Sequence, residues 1–363
     1  MKKDYRILIL TGAAILMAAC SSMETDNPKN IIRFQTANYM QAPSATTKSP
    51  ENYADSYLGV PFGVYAWYKA EDPADNTVFM DNQKVSYNSE DNLWTPTGTT
   101  YYWPKSGSLD FICYSPWSDV PPVISENSIS YSGWDVTANQ TIDLLYADKS
   151  TGLSKNAQNY YYNGVPVLFH HALARTTFNI KLAYSEITPE TGDKTKWEVT
   201  VDDFRLKNIR TTGNLTLTLD SGEWKRPESN VWTSNGSVVD IPIDCSSLPV
   251  LADTATKKIC DPFFVLPQTL DQGQKLALKL TIKTWRDSGS GYPAEPFITE
   301  TDVLVDASLG SVYLTKWGIN QSIKYNLVLI PSRAGSIDTP AEITFDPAVS
   351  DWESIDTDAD ISL

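Results

Sequence analysis

Histidine is almost missing from this chain: among 363 residues there are two, His170 and His171, and they are adjacent. Neighbouring side chains on a strand point to opposite faces, so the pair cannot serve one site there. His170 is expected to be a structural residue at a strand end, its ring bonded to backbone. No G-x-S-x-G elbow, P-loop or dinucleotide fingerprint occurs. An enzyme is therefore not expected, and neither is a cofactor. The 44 acids offer many carboxylate pairs, but none is singled out. Asp202-Asp203 reads as a solvated turn. Asp356-Thr357-Asp358-Ala359-Asp360 lacks the glycine and distal glutamate of a calcium loop and reads as an acidic tail.

Cysteine is scarce as well, with four residues and no metal-ligand spacing, so no metal is expected. Cys113 lies in the apolar stretch Leu109 to Tyr114 and reads as a small buried hydrophobe. Cys245 and Cys260 lie in one region, as a disulfide pair in an oxidising compartment or as two free thiols. Positive charge is in deficit: 29 Lys and Arg against 44 Asp and Glu give −15. That balance excludes nucleic acid as a partner, because phosphate binding needs clustered Lys and Arg.

Only one long apolar run exists, Ile7 to Met17, and it is about half the ~20 residues that span a bilayer. Lys2, Lys3 and Arg6 precede it and Ala18-Ala19-Cys20 follow. A basic start, a short apolar stretch and small residues before a break mark a signal peptide over residues 1–19. Met17-Ala18-Ala19-Cys20 resembles a bacterial lipobox, which implies cleavage between Ala19 and Cys20 and lipidation of Cys20. Residues 20–30 then form a polar tether. Several acyl chains on one residue hold firmly, at about 0.8 kcal/mol per buried CH₂.

What the chain does have is aromatics and turn formers: 11 Trp, 19 Tyr, 11 Phe, 22 Pro and 18 Gly. Short alternating runs separated by turn residues predict an all-β chain. Strands are expected at Ile31 to Ala37, Phe62 to Tyr68, Leu109 to Tyr114, Val165 to Phe169, Thr176 to Leu182 and Trp197 to Leu206. Further strands are expected at Leu215 to Leu219, Phe263 to Leu266, Leu276 to Trp285, Ile323 to Ile330 and Ile343 to Phe345. Length suggests two domains, here two β-sandwiches in tandem, over residues 31–187 and 188–363. Tyr101-Tyr102-Trp103 and Tyr160-Tyr161-Tyr162 read either as strand aromatics or as sugar-stacking groups.

Four stretches together resemble the fimbrillin superfamily of Bacteroidetes, whose members build type V pili. They are Tyr101-Tyr102-Trp103-Pro104 with Leu109 to Pro116, Asp143 to Ala147, Val165 to Arg175, and Ile343-Thr344-Phe345 with Val349 to Trp352. The resemblance implies two β-sandwiches of transthyretin-like or Greek-key type. It implies a fimbrial subunit at the cell surface and outer membrane, active in adhesion, whose partners are other pilus subunits and a host or bacterial surface ligand. It also implies exchange of the first strand, with Ile32 and Phe34, for another subunit's C-terminal donor strand. Ile343, Phe345, Val349 and Trp352 would supply the plugs of that donor. Maturation would follow cleavage behind the first strand, where Lys48 is the one basic residue; an uncut, anchored subunit is the alternative. A stalk role is preferred over anchor or tip because a donor strand is available. A surface glycan-binding lipoprotein is the competing reading, since it too combines an anchor, β-sandwiches and aromatics.

Cys20→Ala is expected to abolish acylation and leader cleavage at that site. Metabolic labelling with a fatty acid checks it: the variant should carry no label.

Overall fold

The computed structural model describes residues 30–36, 60–90, 93–155, 164–167, 169–190, 192–218, 232–234, 236–331 and 342–351. The first strands are β1 (Phe34–Thr36), β2 (Phe62–Lys69), β3 (Thr77–Asn88), β4 (Leu93–Pro96), β5 (Ser108–Ser115), β6 (Val123–Ser125) and β7 (Ser128–Asp135). Then come β8 (Leu145–Ala147), β9 (Ser150–Leu153), β10 (Val165–Val167), β11 (Phe169–His171), β12 (Ala174–Leu182) and β13 (Glu186–Ile187). β14 (Lys194–Ile209), β15 (Thr212–Thr218), β16 (Thr233–Ser234), β17 (Val239–Ile243), β18 (Lys257–Lys258) and β19 (Phe263–Val265) follow. The last are β20 (Gln268–Thr269), β21 (Lys275–Asp287), β22 (Ile298–Ser308), β23 (Lys316–Trp317), β24 (Gln321–Ile330) and β25 (Glu342–Asp351). The protein is all-β, apart from short 3₁₀ turns such as Pro73–Asp75. Among the described residues no helix is long and apolar enough to cross a membrane.

The largest sheet runs β10-β1-β4-β3-β2-β5-β8-β11, with β9 beside β5. Its two outermost strands, β10 and β11, are separated in the chain by residue 168 alone. A sheet whose edges are covalent neighbours has to curl until those edges meet. The inner face therefore wraps a core that includes Ile32, Phe34, Phe62, Val64, Phe111, Trp94 and Trp103. The strand period of two divides β2 and β5 between two cores. Phe62, Val64 and Ala66 point inward, whereas Tyr65 and Trp67 point outward, and Ile112 and Tyr114 do the same on β5. That is why both segments read as continuous apolar runs. The outward aromatics are covered by a second sheet, β16-β15-β7-β6, which contributes Ile129, Tyr131, Leu215, Leu217 and Trp232.

The remaining strands form a sandwich. One sheet is β18-β12-β24-β25, with β19 beside β12, and the other is β13-β14-β21-β22, with β17 beside β14. Phe178 stacks on Tyr325 at 4.9 Å between ring centroids and meets Phe204 edge-on at 5.1 Å. On β21, Leu276, Leu278, Leu280 and Ile282 face this core. The alternate lysines face water, where Lys275 pairs with Asp306 at 3.2 Å and Lys279 with Asp302 at 2.6 Å.

The division expected at residues 187/188 does not follow the sheets. β12 precedes it, yet β12 sits between β18 and β24 in the second sandwich. β15 and β16 follow it, yet β15 pairs with β7 of the first unit, Thr216 opposite Ser130. The physical reason is coverage: β6 and β7 alone are too few strands to bury the outward aromatics of β2 and β5. The chain therefore leaves β14, lends Leu215 and Leu217 to that face, and returns. Asp202 and Asp203 also differ from expectation: they lie at a bulge inside β14, not in a turn. There Asp202 accepts from Thr281 and Asp203 pairs with Arg205. Cys245 and Cys260 are separate free thiols instead of a disulfide, each packed against the second core.

Gly63 on β2 lets the Tyr114 ring lie flat across the backbone, since a Cβ there would sit 2.2 Å from its Cε1. Tyr114 in turn donates its hydroxyl to Asn82 Oδ1 at 2.6 Å. Gly63→Ala is therefore an overpacking change and should cost about 1–3 kcal/mol. Chemical denaturation should show a lower midpoint with an unchanged slope.

Candidate functional site

β1 is short, but its neighbours are committed to it. It runs parallel to β10, Phe34 opposite Val165, and antiparallel to β4, Phe34 opposite Trp94. Upstream, the Ile32 amide donates to Tyr101 O at 2.8 Å and the Trp103 amide to Asn30 O at 2.8 Å. The Val165 amide donates to Arg33 O at 2.7 Å. Ile32 and Phe34 are fully buried. The Phe34 ring meets Phe62 edge-on at 5.9 Å and Phe111 at 5.6 Å, the favoured aromatic geometry.

β10 can approach β1 because residue 164 is glycine. Its φ is +80°, and a Cβ would fall 2.9 Å from the Phe34 carbonyl carbon. In the described sheet β1 is the ladder partner of β10. Taking β1 away would thus open a slot between β10 and β4, strip β10 of that ladder and uncover Phe62, Phe111 and Trp94. An open slot of this kind offers unpaired backbone groups and apolar pockets together.

The other end of the chain is arranged in the opposite way. β25 is an outer strand that pairs along its 10 residues with β24. Ile343, Phe345 and Val349 stand opposite Leu329, Leu327 and Ile323, three buried residues. An outer strand can leave without splitting a sheet down its middle. The expected exchange residues therefore fall into two separate places in one molecule: Ile32 and Phe34 in the barrel wall, and Ile343, Phe345 and Val349 on the outer edge of the second sandwich. Ala19, Cys20, Lys48 and Trp352 lie outside the described residues, as do Tyr160-Tyr161-Tyr162 and the tail Asp356 to Asp360.

The histidine block has acidic side chains beside both rings. His170 Nε2 lies 2.8 Å from Asp148 Oδ1, and its ring packs on Tyr146 at 5.4 Å. His171 Nδ1 lies 2.8 Å from Asp143 Oδ2, while its backbone amide donates to Asn320 Oδ1 at 3.3 Å. Each ring thus has a carboxylate close by, on opposite sides of β11. His171 also joins the barrel to the start of β24. The sequence did not disclose this, because Asp143, Asp148 and Asn320 are near only after folding.

Burial pushes the Cys113 thiol far up and the Tyr114 phenol up to about 12, the latter against the lowering hydrogen bonds to Ser118 and Asn82. Neither is a nucleophile at neutral pH. Among the described residues no group of three or more His, Cys, Asp or Glu is placed to hold a metal. Tyr101 and Trp103 pack on the barrel core, on either side of an isolated bridge between Tyr102 and Ile31 and outside the named strands.

Solved structures match the chain at low identity. A candidate cell-adhesion protein of Bacteroides uniformis is 16% identical with a TM-score of 0.47, over 89% of this chain and 98% of that one. One from Bacteroides ovatus is 14% identical with a TM-score of 0.41, over 81% and 88%. A C-terminally truncated tip fimbrial protein of Porphyromonas gingivalis is 8% identical with a TM-score of 0.37, over 81% and 94%. No curated protein matches the chain. The model of the fimbrillin-like family matches residues 58–352, most of the sequence, and the chain belongs to that family.

Proposed function

We propose that this protein is a subunit of a cell-surface fimbrium, held first at the outer membrane by a lipid on Cys20 and then built into a polymer by strand exchange. Fimbrillin-like proteins are structural, and the chain is not an enzyme. The observation that carries the reading is the contrast between the two end strands. β1 is a wall strand whose Phe34 is completely buried, as is Ile32 just before it, and β25 is an outer strand with one ladder partner, β24, among the described residues. Loss of β1 after cleavage at Lys48 would create the acceptor slot. β25 with the residues after it, Trp352 included, would be the donor. Backbone hydrogen bonds would give the affinity and alternate side chains the fit. A fimbrial role also agrees with an adhesion role through a surface ligand. A stalk position is preferred over anchor or tip because the donor strand can be given away.

Deleting residues 342–363 should leave a folded monomer that cannot act as donor, since the edge it vacates is one side of one strand. Phe345→Ala with Trp352→Ala should weaken donation by a few kcal/mol, by analogy with large-to-small core changes. Ladders on an unboiled gel, read beside a melting curve of the monomer, check both. Normal ladders from the truncated chain would sink the exchange through this segment. A truncated monomer that unfolds would assign the segment to its own sandwich, in favour of an anchor or a glycan binder.

A further inference from the structure

The strand directions fix which ends of two copies would meet, and the surfaces there are complementary. β2 runs toward the loop of residues 70–76, β3 away from it, β4 toward it and β1 away from it. A donor lying in the slot in the direction of β1 would therefore enter from the side of that loop. In the second sandwich, β24 ends at Ile330, beside Glu342, where β25 begins. Leu182 ends alongside Leu329 there, and the chain passes through Ser185 to β13 and to β14, whose Lys194 stands opposite Asp287. The root of β25 thus shares its end of the sandwich with Arg286 and the loop of residues 287–297.

At that end Arg286 lies over the Phe297 ring, its Cζ 4.6 Å from the centroid, and Phe297 is 57% exposed. Among the described residues Arg286 makes no ion pair. Of the acids at that end, Glu295 is exposed, and two others have contacts of their own. Asp287 accepts from the amides of Gly289 and Gly291. Glu186 lies close to the Tyr292 hydroxyl, whose pKa is pushed up to about 12 by burial and by that carboxylate. An unneutralised arginine stacked on an exposed phenylalanine, in a chain of net charge −15, is a combination typical of interface anchors. The barrel's far loop carries the matching surface: Glu71, Asp72 and Asp75 are exposed, and Val78 next to them is 61% exposed. Asp72 caps the 3₁₀ turn, and none of the three acids is in an ion pair among the described residues.

We infer that Arg286 and Phe297 of one copy dock on the Glu71–Asp75 loop and Val78 of the next, a head-to-tail contact that guides and then braces the donor strand. This rests on the strand-exchange reading. The occupant is a second copy of this chain, because Arg286 is opposite in charge to Glu71, Asp72 and Asp75 and the exchange would bring them together. The contact is at the rim of the exchange, so it acts mainly on the rate of joining and is screened by salt.

The test uses the full chain expressed on cells, with ladder growth followed over time and a melting curve for each variant. Arg286→Asp should slow ladder growth about tenfold at low salt and flatten its salt dependence. Adding Glu71→Lys and Asp75→Lys to that variant should restore the rate, with Asp72 left in place to keep its turn. Arg286→Asp growing ladders at the wild-type rate overturns the contact while leaving strand exchange intact. So does a charge-swapped chain that melts normally but stays as slow as Arg286→Asp. No ladders from the unaltered chain would remove the exchange reading, and this contact with it.

Discussion

Closure of the first barrel rests on a strand three residues long. β1 fills the gap between β10 and β4, and Phe34 reaches from it into the angle between Phe62 and Phe111. A closed barrel has no free edge, and it loses that property wherever one wall strand is withdrawn. Withdrawal here would free backbone on β4 and β10 and expose aromatic surface at once. Truncating a buried phenylalanine to alanine costs about 3–5 kcal/mol, cavity included, so an empty slot is a strong driving force for refilling. A replacement strand has to bring the same two things, a backbone to pair and apolar side chains at every second position.

That dependence spreads through the molecule because its two units are woven together. β15 crosses from the second sandwich to cover the outer face of the barrel, and Trp232 Nε1 donates to Ala172 O at 2.7 Å between them. β11, whose neighbour in the chain is β10, touches Asn320 at the head of β24 through the amide of His171. The barrel wall that loses β1 is thus a short physical path from the strand that holds β25. The second sandwich carries Lys–Asp pairs across β21 and β22, on the face left to water.

Local pattern carried much of this. The expected strand at Phe62 to Tyr68 is β2 nearly to the residue, and the alternation of Leu276 to Ile282 against lysines is the two-faced strand β21. Ile32 and Phe34 were legible as an apolar pair on one short strand. The partners of that strand were not: β10 lies some 130 residues on, and Gly164 reveals its purpose only against the backbone of Phe34. The domain boundary failed for the same reason, since a strand's own residues do not say which of two sheets will have room for it. The carboxylates beside the two histidines, Asp143 and Asp148, flank β8 in the chain and reach them only through the pairing of β8 with β11.

By itself the sequence determined the class: all-β, acidic, poor in histidine and cysteine, with a leader pattern and the residue blocks of a fimbrillin. Those are properties of composition and of short-range periodicity, and they hold whatever the chain folds against. Only the tertiary structure decided that β1 is a wall strand while β25 is an outer one, and that the chain crosses between its two units. It also decided that Arg286 lies over the Phe297 ring. Each of these depends on which distant backbone supplies the missing hydrogen bonds and which apolar face needs covering, and neither is written within a few residues of the strand concerned.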